Sequence, residues 1–324
     1  MKLTVAIPNF NGGNNLKGAI ESCQHIKLKK EEIEILIVDN QSTDNSISII
    51  EKSKVEFSNI KLWQNSENIG RIGNWNAVLE KSSGDYLIFL FTNDRIYEKN
   101  NIEKILNILN ENDTISLCIS AFNKKEKKGI KIKKQYFHDI ILCDSKGFSN
   151  DSISRGLFPF GTIESIVYRI NDIKENRFKF LENFPINADE IFSYNLAINR
   201  EKIMFNPTPQ IVWDLTKERF HGRIDYKEEE EEHQKTMKII NDVGNLQKND
   251  KLIKTYRILN FVRYYFTTEK SILKTIKILF KEIILKQNIV FDKILIRSIF
   301  QKLFSNKDAD DIIFKNIMKK WIRF

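Results

Sequence analysis

Four apolar positions in a row, Ile35-Leu-Ile-Val38, run straight into the polar stretch Asp39-Asn-Gln-Ser-Thr-Asp44. A run of this kind reads as a strand buried on both faces, as in a parallel sheet, and the carboxyl end of such a strand is where α/β folds bind ligands. Tyr86-Leu-Ile-Phe-Leu-Phe91 repeats the arrangement and opens onto Thr92-Asn-Asp-Arg95. Leu3-Thr-Val-Ala-Ile7 comes before both; Pro8 is expected to stop its ladder, and Asn9-Phe10-Asn11 to form a turn into a helix. The two strands that end at Val38 and Phe91 thus deliver polar groups to one edge of a sheet.

Helical periodicity fills the intervals, over Asn14 to Cys23, Asp44 to Glu51, Ile72 to Leu79 and Asn101 to Leu109. Alternation at this spacing predicts an α/β domain with a mostly parallel sheet covered on both faces. Further strands are expected over residues 115–122, 130–142 and 163–169, with Lys124 to Gly129 as a solvated turn and Ala188 to Asn199 as a helix. Gly156-Leu-Phe-Pro-Phe-Gly161 reads as a shaped loop near a pocket. Five glutamates, Glu228 to Glu232, read as a solvated helical face or linker and set the expected boundary between a domain over 1–225 and a helical region over 226–324. In the latter, Tyr256 to Phe266, Ile272 to Leu285 and Ile289 to Phe304 are amphipathic, with Lys and Arg between apolar positions.

The chain has 324 residues, 41% of them hydrophobic, and a net charge of +9. From Lys251 onward there are 17 Lys and Arg against 6 Asp and Glu, so the basic character belongs to the tail. Its charges are interleaved with Ile, Leu and Phe rather than clustered with glycine or stacking aromatics, which argues against nucleic acid as a partner. Docking on an anionic membrane surface and packing as a bundle both fit the pattern. Cys23, Cys118 and Cys143 are widely spaced and read as reduced, buried residues. With no signal-peptide pattern and no apolar run long enough to span a bilayer, the expected location is cytoplasmic, peripheral at the inner face of the membrane if the tail docks there.

Ile7-Pro-Asn-Phe-Asn11, Glu34 to Asp44, Asn68-Ile-Gly70 leading to Asn76, and Gly84 to Leu90 before a short acidic turn occur in an order that resembles the inverting family-2 glycosyltransferases of the GT-A (Rossmann-like) fold. The likeness is close over roughly the first 95 residues and looser to about His221. It implies transfer of a sugar from a nucleotide-sugar donor, UDP or dTDP, to a glycan or lipid-linked acceptor, in building a cell-envelope polysaccharide such as lipopolysaccharide or capsule. A sugar-nucleotide pyrophosphorylase is the rival enzyme, although its glycine-rich, Arg-containing loop and lysine are missing after Leu3 to Asn11. A non-catalytic nucleotide-sugar-binding subunit is the third reading.

Such a transfer needs a nucleotide pocket, stabilisation of the leaving diphosphate and a base for the acceptor hydroxyl. Asp39 can accept from the imide N–H of uracil or thymine. The resemblance makes it the nucleotide ligand, with Pro8, Asn9 and Asn11 as the other wall and Asn68, Arg71, Asn76 and Asn93 beside it; Ser42-Thr43 support this site, cap the next helix, or do both. The Asp-x-Asp motif of the family falls on Phe91-Thr-Asn93, so that Asp94 is left to hold Mg²⁺ or Mn²⁺ with the diphosphate oxygens, joined by His221 of Arg219-Phe-His221. Trp75 stands where Arg is more common, and Arg71 and Arg95 are candidate diphosphate partners. Asp189 is the expected general base, with Glu190 its rival and Glu164 a weaker one.

Overall fold

The structure, a computed structural model, describes residues 1–127, 129–133, 138–154, 160, 163–216 and 226–243. Its elements in chain order are β1 (Leu3–Asn9), α1 (Gly13–Ser22), β2 (Ile33–Asp39), α2 (Ser46–Glu56), β3 (Ile60–Gln64), α3 (Gly70–Lys81), β4 (Tyr86–Phe89), β5 (Arg95–Ile96), α4 (Ile102–Glu111), β6 (Ile115–Glu126), β7 (Gly129–Lys133), β8 (Ile141–Asp144), α5 (Ser145–Ser154), β9 (Ile166–Arg169), α6 (Ile170–Glu175), α7 (Ala188–Ala197), β10 (Lys202–Asp214) and α8 (Tyr226–Val243). The chain divides into two compact units, one of Met1–Ser145 with Phe160–Gly222 and another of Lys146–Pro159 with Arg223–Phe324.

The first unit is built on one sheet in the order β3-β2-β1-β4-β9-β6-β10-β5. Its first half, β3-β2-β1-β4, is parallel throughout. Beyond β4 the sheet turns mixed, with β9 antiparallel to both β4 and β6 and β10 parallel to β6 through register shifts. All seven residues of β2 are buried, and Val5, Ile7, Ile35, Ile37 and Ile88 pack with Leu16 and Ile20 of α1 in one core. The chain leaves β1 toward β2 on one side and returns from β3 to β4 on the other. The crevice at the carboxyl ends of β1 and β4 is therefore the switch point at which α/β sheets bind ligands.

Several expectations are corrected locally. Pro8 does not stop β1. Pairing with β4 ends at Ala6, but pairing with β2 continues through Pro8 opposite Val38 and Asn9 opposite Asp39, so the proline ends the ladder on one side only. The lysine-rich stretch expected as a turn is mostly strand, with Lys124 to Glu126 in β6 and Gly129 opening β7, the two strands pairing antiparallel. The strand expected over 130–142 is two elements, and β10 had no forecast. The glutamate run is helical, inside α8, where Glu232, Thr236, Met237 and Ile240 are buried and Glu228 and Glu231 exposed. The Gly156–Gly161 loop apart from Phe160, His221, and the basic stretch from Lys251 to Phe324 lie outside the described residues. The three cysteines are free and buried as expected, and burial pushes the Cys23 and Cys143 thiols up to about 12, so neither is a ready nucleophile at neutral pH.

At the amino ends of the strands, opposite the crevice, Glu34 of β2 is only 1% exposed. Its carboxylate accepts from Thr4 Oγ1 at 2.6 Å, Ser83 Oγ at 2.7 Å and Ser83 N at 3.0 Å, and pairs with Lys61 at 2.7 Å. Burial alone would raise its pKa, but these donors outweigh it and hold the carboxyl down at about 2. A carboxyl with a depressed folded pKa stabilises the fold above its unfolded value, and that stability is lost as pH falls toward the folded one. Glu34→Gln should therefore cost on the order of 2–3 kcal/mol at pH 7. In urea titrations its deficit relative to the parent should shrink below about pH 4 and vanish near pH 2; a deficit independent of pH would mean that the charge is not what Glu34 contributes.

Candidate functional site

The loops after β1 and β2 close on each other through Asp39, whose side chain is fully buried. Asn9 Nδ2 donates to it at 2.7 Å, Ser42 Oγ at 2.5 Å and Ser42 N at 3.0 Å, with Gln64 Nε2 more distant at 3.4 Å. Asn11, at φ 52°, accepts from Thr43 N at 2.8 Å, and Ser42 Oγ accepts from Asn11 N at 2.9 Å. Asn9, Asn11, Ser42 and Asp39 are thus bonded into one wall, and Pro8 precedes it in β1 opposite Val38. Ser42 supports Asp39 and caps nothing, because α2 begins at Ser46, whose N–H is met by Asp44 Oδ1 at 2.9 Å. Gln64 is exposed, so the carboxylate expected to face a base is covered by one long side-chain amide.

Gly12 lets this wall meet the loop after β4. A Cβ there would lie 2.3 Å from Asn9 Oδ1 and 2.9 Å from Thr92 Cγ2, so any larger residue would push the two strand ends apart. Asn9 Oδ1 is itself buried with no hydrogen-bond partner, a polar atom left over at the crevice. Asn68 joins the site through Asn40. Asn40 Nδ2 donates to Asn68 Oδ1 at 2.7 Å, Asn40 Oδ1 accepts from Ile69 N and Asn65 Nδ2 at 3.0 Å each, and Asn65 Nδ2 also reaches Asn74 at 2.9 Å. This asparagine chain fixes the entry to α3 against the end of β2.

Of the other residues expected around the nucleotide, Asn93 is partly exposed in the loop after β4, and Asn76 and Arg71 bond to the backbone of a distant segment. Asn76 clips the backbone of Phe180 from both sides, donating to its carbonyl at 3.0 Å and accepting from its N–H at 2.8 Å. Arg71 donates to the Pro185 carbonyl, and its guanidinium lies 4.6 Å above the ring of Trp75. Both side chains of α3 therefore hold the segment that leads into α7. Arg95 donates to the carbonyls of Thr92 at 2.9 Å and Asp94 at 2.6 Å and presses on Gly18 of α1, where a Cβ would meet its Nη2 at 2.3 Å. It braces the loop after β4 and is turned from the crevice.

Asp94 is 0% exposed, and its Oδ1 accepts from Asp214 N at 2.9 Å, tying the loop to the end of β10. Phe91, in the first position of the motif, stacks on Trp75 with centroids 5.3 Å apart and planes at 19°. Hard divalent ions need several oxygen ligands at one point. Here one such position holds a phenyl ring and one oxygen of the Asp94 carboxylate is engaged with backbone, so the described residues of this loop supply a single carboxylate rather than the several oxygen ligands an Mg²⁺ or Mn²⁺ site needs. Among them no group of three His, Cys, Asp or Glu is placed to hold a metal ion.

Asp189 and Glu190 lie in the first turn of α7, partly exposed, where the helix dipole favours carboxylates. Behind them, the Tyr168 phenol is buried and bonded to Ser193 Oγ at 2.7 Å. Burial, and after it the charges of Asp189 and Glu164, push its pKa well above the ordinary range, so α7 and the short turn before β9 bring both carboxylates near one buried hydroxyl. Glu164 is itself buried, while Asp189 is partly exposed. Phe192 of α7 stacks on Phe180 at 4.1 Å, and Phe180 meets Trp75 edge-on at 5.2 Å. An aromatic column thus runs from Phe91 to the helix bearing Asp189. One residue escaped the sequence reading. Phe10, between Asn9 and Asn11 in the chain, leaves its ring 52% exposed, and the signal was there in an aromatic ring placed within an otherwise polar turn.

The family model described as glycosyl transferase family 2 matches residues 4–177. A poly(ribitol-phosphate) beta-glucosyltransferase of Bacillus spizizenii is 23% identical over 231 residues, covering 70% of this chain and 34% of its own length. A dolichyl N-acetyl-alpha-D-glucosaminyl phosphate 3-beta-D-2,3-diacetamido-2,3-dideoxy-beta-D-glucuronosyltransferase of Methanococcus voltae is 27% identical, over 65% of each chain. The chain thus spans about a third to two thirds of the length of these relatives. Among solved structures, S. aureus TarS 1-349 in complex with UDP-GlcNAc aligns over 100% of this chain and 92% of its own, with a TM-score of 0.66 and 17% identity, a likeness of fold.

Proposed function

The chain belongs to glycosyl transferase family 2, and from that premise we propose that it transfers a sugar from a UDP- or dTDP-sugar to a glycan or lipid-linked acceptor in cell-envelope polysaccharide synthesis, with inversion. The observation that carries the proposal is the wall of Asn9, Asn11, Ser42 and Asp39 at the switch point of the sheet. Gln64, at 3.4 Å, is the donor a base imide would replace on Asp39. The uridine donor is supported by the relative solved with UDP-GlcNAc, and the acceptor class by relatives named for ribitol-phosphate polymer and dolichyl-linked substrates.

In this proposal Asp189 takes the proton of the acceptor hydroxyl. The hydroxyl oxygen then attacks the anomeric carbon from the face opposite the diphosphate. The bond from that carbon to the diphosphate oxygen breaks, and its electron pair leaves with the nucleoside diphosphate. Holding the two substrates in line supplies much of the rate.

A thermal-shift screen of nucleoside diphosphates and nucleotide sugars tests the reading. UDP or dTDP at about 100 times its Kd should stabilise the chain by about 2.7 kcal/mol, and GDP or CDP should not. If no nucleotide raises the Tm, the reading fails. A second reading, a non-catalytic nucleotide-sugar-binding subunit, is favoured by Phe91 in place of a carboxylate. Slow release of the nucleoside diphosphate from a bound donor, absent in Asp189→Asn, separates the enzyme from the binder.

A further inference from the structure

We infer that Asn76 is a positioning residue for the proposed base: by clipping Phe180 it sets where the first turn of α7, and with it Asp189, stands against the donor. The inference rests on the functional reading above. It moves Asn76 from the nucleotide, where its family position put it, to the acceptor half of the reaction.

Residues 176–187, which lead from α6 to α7, carry no helix or strand, so the placement of α7 depends on what grips this segment from outside. One amide grips its middle. Asn76 Nδ2 donates to the Phe180 carbonyl at 3.0 Å, and Asn76 Oδ1 accepts from the Phe180 N–H at 2.8 Å. In an antiparallel ladder a residue of the neighbouring strand meets both backbone groups in this way, and here a single side chain does so. Among short side chains only asparagine offers a donor and an acceptor together. A carboxylate would set an oxygen against the carbonyl, and a hydroxyl would serve one group at a time.

Phe180 passes this anchorage on to the helix. Its ring is 1% exposed and stacks on Phe192 with centroids 4.1 Å apart and planes at 26°. Phe192 follows Asp189 by three positions, so the two share a face of α7 about one turn apart. From the other side, Phe180 meets Trp75 of α3 edge-on at 5.2 Å and Phe89 of β4 edge-on at 5.7 Å. These two elements border the proposed donor crevice. β4 ends at it, and the entry to α3 is fixed against the end of β2 through Asn40 and Asn68. The clip therefore ties the helix that bears the base to the elements that frame the donor. A displacement of about 1 Å from the productive geometry costs about 10²-fold in rate, so a bond that never touches substrate can set turnover.

A double-mutant cycle tests this. Asn76→Ala removes both bonds to Phe180, while Asn76→Asp keeps the shape and the acceptor but loses the donor. Each is made in the parent and in Asp189→Asn. Calorimetry measures affinity for whichever nucleoside diphosphate, UDP or dTDP, raises the melting temperature. Single-turnover release of that diphosphate from the corresponding nucleotide sugar measures the chemical step. Affinity is expected to stay near the parent value throughout, which also reports that the variants are folded. Turnover should fall about 10- to 100-fold in both Asn76 variants. In the Asp189→Asn background the same changes should cost less than about twofold, because a residue acting through the base then has nothing left to position. Should Asn76→Ala melt below the assay temperature, Asn76→Asp carries the comparison.

Unchanged turnover in Asn76→Asp and Asn76→Ala would overturn the inference. So would an equal loss in both backgrounds, the mark of a tether that only stabilises the fold, or a loss of nucleotide affinity of about tenfold or more, the mark of a nucleotide ligand. Parent-like turnover in Asp189→Asn would overturn the choice of base and this inference with it, leaving the nucleotide site standing. Failure of every nucleotide to bind the parent would overturn the functional reading itself.

Discussion

Asp189→Asn is expected to leave affinity for UDP near its parent value and to lower turnover by about 10²- to 10⁴-fold, the usual contribution of a positioned general base. The substitution keeps the shape and the helical first turn but cannot take a proton. Asp189 is partly exposed at the start of α7, close enough to Tyr168 for its charge to act on that buried phenol, while the neighbouring Glu164 is enclosed. The helix beneath it is fixed by the packing of Phe192 on Phe180 and Tyr168, so little of the effect should come from misfolding. Single-turnover rates with the donor identified by thermal shift would measure it. If Glu190→Gln shows the loss and Asp189→Asn does not, the base is the next residue along.

Asp39→Ala is expected to weaken UDP binding by about 1–3 kcal/mol, the range for a hydrogen bond to a charged group. It should also lower the melting temperature, because Asn9 and both donors of Ser42 converge on this carboxylate. The two effects are separable through Gln64. Gln64→Ala removes only the distant, exposed donor at 3.4 Å, so it should uncover Asp39 at little cost in stability and bind UDP at least as tightly as the parent. Weaker calorimetric binding in Gln64→Ala would mean that the base does not approach Asp39 from that side.

The parallel half of the sheet was legible because a strand buried on both faces leaves an unbroken apolar run, as in Ile35 to Val38 and Leu87 to Leu90. Asp39 and Ser42 were legible because their bonds span three residues. The mixed half was not. β10 runs through Asn206, Pro207 and Pro209 with register shifts, which breaks the periodicity by which strands are read. Asn76, Arg71 and Asp94 make hydrogen bonds to residues more than 100 positions away, at Phe180, Pro185 and Asp214. Local pattern carries no record of such pairings.

The Trp75–Phe91 stack also constrains how this chain could change. The family pattern has a carboxylate at position 91 and commonly an arginine at 75. Phe91→Asp alone would set a negative charge against the electron-rich face of Trp75. Trp75→Arg alone would remove the ring under Arg71 and put two like charges one helical turn apart, a destabilising spacing. Each single step back is uphill, and only the pair of changes together escapes the penalty. A departure of this kind, once made, acts as a ratchet, and the chain keeps its aromatic column by the mutual dependence of its two outermost rings.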